Sequence, residues 1–144
     1  MNTLFPFSAS LKKQFSSEEQ FATFLSYLQR LVVRKRQFLF HKGDRADGIY
    51  LVASGQVTSV SEMPDRRLKR LQTFKPGEVV GEGEYYCNVP RLASLVAEQP
   101  SVVYYLSSSI WDQMELEAPG AAIAFHRHAF GSLSVRLGYV KETL

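Results

Sequence analysis

Cys87 is the only cysteine in the 144 residues, so no internal disulfide can form and a reducing cytosol is the expected compartment. Long hydrophobic runs are missing too. Ile49–Ala53 and Leu92–Ala97 fall far short of the ~20 residues that cross a bilayer, and no segment has the charged, apolar and small-residue parts of a signal peptide. Catalytic vocabulary is equally thin. No Gly-x-Ser-x-Gly, Walker-type or paired-carboxylate constellation is present, so the chain is not expected to be an enzyme. There is no surplus of acid either: 17 Lys and Arg stand against 14 Asp and Glu, a net charge of +3. Arg30, Arg34, Lys35 and Arg36 form one basic cluster; Arg66, Arg67, Lys69 and Arg70 form a second. Without the interleaved aromatics of a nucleic-acid module, both read as solvated strand and hairpin faces, and DNA binding is not expected.

What is present is an ordinary globular composition, 45% hydrophobic and 22% charged, in a length that suits one compact domain over residues 1–144. Ser16-Ser17-Glu18-Glu19 has the form of a capping box, and Phe21, Phe24, Leu25 and Leu28 follow at helical spacing. A helix over about 17–29, with a looser lead-in before it, is the expectation. From Leu31 to Leu106 short runs of Val, Ile, Leu, Phe and Tyr are broken by turn signals at Lys42-Gly43-Asp44, Ser54-Gly55, Met63-Pro64-Asp65, Lys75-Pro76-Gly77 and Gln99-Pro100. Spacings of roughly 10–12 residues predict a small all-β sandwich or roll, with no βαβ alternation. Helical periodicity returns after Leu106. Ser107–Ser109 can cap a short helix ending near Ala118-Pro119-Gly120, and a longer one runs from about Ala121 to Lys141. Its Ile123, His126, Phe130, Leu133, Leu137 and Val140 recur every three or four residues as a narrow apolar seam suited to self-association.

The stretch GEGEYYCNVPRLASLV, Gly81 to Val96, holds the chemistry. Gly83–Asn88 is the one plausible helical turn inside the β region, and the first amides of such a turn attract an anion. Gly81 and Gly83 permit a tight entry, and Arg91, expected on the next strand, can bind phosphate oxygens through paired, charge-assisted bonds. Glu82 can accept from a hydroxyl but repels phosphate. The pair suits a ligand with a sugar hydroxyl and an anion close together.

Gly81, Glu82, Pro90, Arg91, Ala93 and Ser94 resemble the phosphate-binding cassette of cyclic-nucleotide-binding domains. The preceding FLFHKGDRADGIYLVASGQV, with Gly43, Asp44, Tyr50 and Gly55, is similar to that family's first strands. The resemblance spans about 24–137. It implies a mainly β fold, an eight-stranded β-roll (31–106) flanked by an N-terminal helix (within 1–30) and two C-terminal helices (107–142). It also implies a ribose 2′-hydroxyl on Glu82, a cyclic phosphate on Arg91, and backbone groups of Gly83, Glu84 and Tyr85 on the remaining oxygens. Leu92, Ala93 and Ser94 would complete the ligand-binding stretch, and the last helix would form a lid over the base. The implied role is regulatory: binding of a cyclic mononucleotide, cAMP in preference to cGMP. A scaffold that retains the roll without binding nucleotide is the alternative. Residues 98–130 further resemble domains fused behind bacterial sulfate-permease-type (SulP) transporters, which would give a membrane transporter as parent or partner and place the domain at the cytosolic face. No helix-turn-helix follows the long helix before Leu144, so the output expected is a partner chain, a homodimer through 121–141, or a domain elsewhere.

Two positions depart from the family pattern. Glu84 stands where a small residue is usual. If it faced inward at about 6 Å it would repel a phosphate by roughly 3 kcal/mol, against almost nothing if it faced water. Leu92 replaces a hydroxyl that commonly assists phosphate or guanine. Elsewhere, His126 and His128 point about 200° apart on a helix and cannot share a metal, and no cofactor is implied. Cys87 reads as a small packed hydrophobe. Tyr85, Tyr86, Tyr104 and Tyr105 read as core or edge residues.

Overall fold

The computed structural model describes residues 9–138. Two helices lead in, α1 (Ala9–Lys13) and α2 (Glu18–Ser26). The capping box is one residue out of the expected frame. Ser17 Oγ accepts from the Gln20 amide at 3.0 Å, and Gln20 Oε1 accepts in return from the Ser16 amide at 2.8 Å. A glutamine thus takes the role assigned to Glu19, and the helix stops at Ser26 because β1 begins already at Gln29.

Eight strands follow: β1 (Gln29–Val33), β2 (Phe38–Phe40), β3 (Gly48–Ser54), β4 (Val57–Glu62), β5 (Leu68–Phe74), β6 (Val79–Val80), β7 (Ser94–Ala97) and β8 (Ser101–Ser107). They form two antiparallel four-stranded sheets, β1-β8-β3-β6 and β2-β7-β4-β5, the eight-stranded β-roll that the family resemblance implied. Four of the five turn signals fall between strands, and the fifth, Ser54-Gly55, begins on the last residue of β3. The β1–β2 turn had no such signal. It is made by Arg34–Gln37, with Arg36 itself at φ 73°.

β3 is buried on both faces, which is why it reads as a continuous apolar run rather than an alternation. Tyr50 and Val52 face the roll interior with Val33, Val57, Phe74, Leu95 and Val103. Ile49 and Leu51 face the other way, into a second core made by the helices, with Phe24, Trp111, Met114 and Phe125. The roll is therefore sealed on one side by the helical layer, and α3 (Glu82–Cys87) sits at that boundary.

Two helices follow β8 among the described residues, α4 (Ser108–Glu117), capped by Ser107 Oγ, and α5 (Pro119–Arg136). The buried stripe of α5 is Ala121, Ala122, Ala124, Phe125 and Ala129. Small side chains let it lie close to α2; a Cβ on Gly120 would stand 2.5 Å from Gln20 Nε2. The large apolar seam runs along the helix flank instead. Ile123, Phe130 and Leu137 are exposed, Leu133 is half-buried near Gly83, and Val140 lies outside the described residues, as does the expected continuation to Lys141. No helix among the described residues is long and apolar enough to cross a membrane.

Candidate ligand site

Gly81 enters α3 with φ 86°, a left-handed conformation that favours glycine, and Asn88 leaves it in the same region. Gly81 is needed for a second reason: a Cβ there would lie 2.6 Å from Arg91 Nη1. Tyr85 closes the first turn by donating its amide to Gly81 O at 3.4 Å, so of the three backbone groups expected to meet an anion its N–H is already engaged. Gly83 packs toward the last helix, its notional Cβ 3.6 Å from Leu133 Cδ1.

Arg91 is not on a strand, as expected, but in the loop before β7, which starts at Ser94. It is 2% exposed. Its Nη2 donates to Gly48 O at 2.7 Å, and Nη1 donates to Gly81 O at 2.8 Å and to Glu84 Oε1 at 3.1 Å. The guanidinium also lies 4.2 Å from the Phe40 ring centre. Glu84 therefore faces inward, as an ion pair with the arginine rather than an outlying repulsive charge. Arg91 Nε is buried without a partner.

Glu82, fully buried, forms the other pole. Arg136 of α5 stands with Nη1 3.0 Å from Glu82 Oε1 and donates from Nη2 to Val79 O at 3.1 Å. The Glu82 contact is an ion pair without hydrogen-bond alignment, so neither carboxylate oxygen has a hydrogen-bond partner. Arg136 also lies over Phe74, 5.4 Å from its ring centre, and so covers part of the roll beside the cassette. Nothing in the sequence pointed to Arg136; its link to Glu82 joins residues far apart in the chain, beyond the reach of any local pattern.

The remaining expected site residues divide. Ser94 is buried but engaged, accepting from the Lys42 amide at 2.9 Å and donating to Glu62 Oε2 at 3.3 Å. Ala93 is half-buried, whereas Leu92 is 69% exposed, on the surface rather than against the guanidinium. Cys87 is exposed, contrary to its expected packing, because it ends α3 on the solvent side.

Behind the cassette an aromatic stack holds α3 to the helical layer. Tyr85 stacks on Trp111 with centroids 5.1 Å apart, and Trp111 stacks on His126 at 4.2 Å. His126 bridges Tyr86 OH (3.2 Å) and Glu115 (2.9 Å). Burial raises the Tyr86 phenol well above its usual range, and the Glu82 carboxylate adds to the shift, so it remains a neutral hydroxyl. Burial alone lowers His128 to about 4. A crevice of about 460 Å³ opens beyond Arg91, with Asp44, Asp47, Tyr50 and Tyr105 in its walls. Arg91 itself lines it, so the crevice shares the arginine with the cassette but none of Gly81–Tyr85.

Two four-stranded antiparallel sheets sealed by a helical layer, with a glycine-entered short helix between β6 and β7, define a β-roll class of domain. The family model for the cyclic nucleotide-binding domain matches residues 30–116, more than half of the chain. The chain belongs to the cyclic nucleotide-binding domain family. Among curated proteins it is similar to a lysophospholipase (nte1) of Neosartorya fischeri, 34% identical over 96 residues, which are 67% of this chain and 6% of that protein. The chain thus corresponds to a small part of such relatives. Among solved structures it is similar to a cyclic nucleotide-binding domain of Methylobacillus flagellatus (TM-score 0.75, 24% identity, 84% of this chain and 68% of that one). It is also similar to the c-di-GMP-responsive global regulator CLP of Xanthomonas campestris (TM-score 0.70, 27% identity, 84% of this chain and 59% of that one).

Proposed function

We infer that this is a regulatory, non-enzymatic domain that takes a cyclic mononucleotide, cAMP in preference to cGMP, by exchanging two internal ion pairs for ligand contacts. The observation that carries the reading is a pair of buried side chains in the cassette with three orphaned polar atoms between them. Glu82 presents acceptors without hydrogen-bond donors, and Arg91 presents Nε without an acceptor. Buried polar atoms are nearly always satisfied, so both are sites of unspent interaction. A ribose 2′-hydroxyl suits the first and a phosphate oxygen the second.

Binding has a cost that this chain builds in. A phosphate on Arg91 competes with Glu84, and each charge-assisted bond given up is worth roughly 1.5–3 kcal/mol. A ribose on Glu82 competes with Arg136, so occupancy would loosen the end of α5. That displacement is the proposed signal, read by a cytosolic partner chain, by a second copy, or by a larger parent protein; a lysophospholipase-type or transporter-type parent is compatible with it. Leu92 brings no guanine-reading hydroxyl to the sequence pattern, and its side chain is 69% exposed, so the preference for cAMP rests on that pattern and not on a contact.

Titration calorimetry with cAMP, cGMP and cyclic dinucleotides tests the reading. Saturable heat with cAMP is expected, with affinity weaker than in a cassette lacking Glu84. No heat and no chemical-shift change at Glu82 or Arg91 with millimolar cAMP would overturn it. The second reading, a scaffold without nucleotide, is favoured by one observation: Arg91 is already held by two carbonyls and a carboxylate.

A further inference from the structure

β5 is one of the two edge strands of its sheet, and five of its seven residues, Leu68 to Gln72, are exposed. An edge strand covered in basic residues is ordinary protection against strand addition. This hairpin has more than that. Met63, Leu68 and Leu71 are exposed among Arg66, Arg67, Lys69 and Arg70, and Leu71 is 52% exposed where the β4–β5 register skips a residue. The hairpin from Glu62 to Leu71 holds four basic residues against two acids. Arg67 pairs with Asp65 inside the turn and Arg70 pairs with Glu98, whereas Arg66 and Lys69 have no ion-pair partner among the described residues.

The surface continues past the hairpin. Ser94 ties the Lys42 backbone and the Glu62 carboxylate together, so the β2–β3 loop, the start of β7 and the hairpin meet at one end of the sheet. Leu92, 69% exposed, lies in the loop that leads into β7 at that end.

We propose that this end of the domain docks on an anionic lipid surface. Unpaired Arg66 and Lys69 supply the charge complement to acidic headgroups, and the aliphatic side chains enter the headgroup boundary. A nucleic acid would engage the cations alone, since the hairpin offers no aromatic ring for base stacking and a phosphate backbone has no use for Met63, Leu68 or Leu71. Nucleotide occupancy of the cassette is not required.

The experiment is co-sedimentation of the full chain with phosphatidylcholine vesicles made with and without phosphatidylserine. Pelleting is expected only with phosphatidylserine, reduced by added salt. Arg66→Ala/Lys69→Ala is expected to weaken it about tenfold or more. Leu68→Ser/Leu71→Ser keeps every charge and is expected to weaken it several-fold; circular dichroism checks that both variants keep the wild-type spectrum, as solvent-exposed positions should. Absence of pelleting by wild-type protein overturns the proposal. So does pelleting unaffected by the leucine changes, or duplex DNA binding as tight as vesicle binding and lost with the same two cations. Glu82, Glu84 and Arg91 are intact throughout, so a cassette that takes no nucleotide leaves these outcomes unchanged.

Discussion

Glu84 competes for the guanidinium that a cyclic phosphate would use, and their 3.1 Å contact makes the competition direct. Glu84→Ala removes the competitor while leaving Arg91 on Gly48 O and Gly81 O. Affinity for cAMP is expected to improve by about 1–3 kcal/mol in calorimetry; an unchanged constant would show that Glu84 is not what a ligand displaces. Adding Leu92→Thr is expected to change little, because the side chain is on the surface. Sequence reasoning marked Glu84 as out of place but left its direction open, since that depends on where a loop returns Arg91. His128 gives a second test. Burial holds it at about 4 against 6.5 for a free histidine, so the unfolded chain binds its proton first as pH falls. The stability linked to this residue is fully present above pH 6.5 and is lost as pH drops toward 4, by an amount of order 1–3 kcal/mol. His128→Gln should remove that part of the slope in urea unfolding between pH 7 and pH 4.5. A slope equal to wild type would mean that the ring is hydrated in the native state.

Elements were legible where one element supplies its own signal. The β-turns announced themselves through glycine and proline, and Ser107 caps α4 as expected. The β1–β2 turn was hidden because an arginine adopts the positive φ there, and the capping box shifted because Gln20 serves as well as a glutamate. Relations between elements were not legible. The contact of α5 with α3 and β6 rests on Arg136, Leu133 and Gly83, which no spacing connects. Arg136→Gln removes the ion pair with a fully buried carboxylate, so a loss of about 1–3 kcal/mol is expected in chemical denaturation, together with faster amide exchange in the last turn of α5. Loss of stability without the exchange effect would mean that Arg136 holds Glu82 but not the helix. Gly81→Ala tests the cassette's entry: positive φ and the 2.6 Å approach of Arg91 Nη1 both oppose a methyl group. It should cost roughly 1–3 kcal/mol and displace the arginine. Wild-type stability there would show that the turn has room the geometry denies.

On the scale of the molecule, two cores share the strands β3, β6 and β8, so the helical layer cannot be separated from the roll without exposing Ile49, Leu51, Val79 and Leu106. The β-rich middle was readable because its turns recur regularly, whereas the eight-stranded roll came from the likeness of Gly81–Ser94 and the strands before it to a known family. What covers the outer flank of α5 was not readable, because a helix with one alanine-rich stripe and one large apolar seam offers two surfaces to bury. The alanines took the core. Ile123, Phe130 (63% exposed) and Leu137 remain outside it. A second copy of the chain laid along this flank would bury three large side chains per protomer. Each fully buried one contributes roughly 1.5–3 kcal/mol before the cost of association, which is enough for a concentration-dependent dimer. Light scattering across a dilution series should show dimer giving way to monomer, and Phe130→Glu should leave monomer at all concentrations with an unchanged circular dichroism spectrum. A wild-type protein that stays monomeric at the highest concentration would assign the flank to another partner. Loss of the fold in Phe130→Glu would be at odds with its exposure, since the residues that hold α5 to the domain are on the opposite stripe.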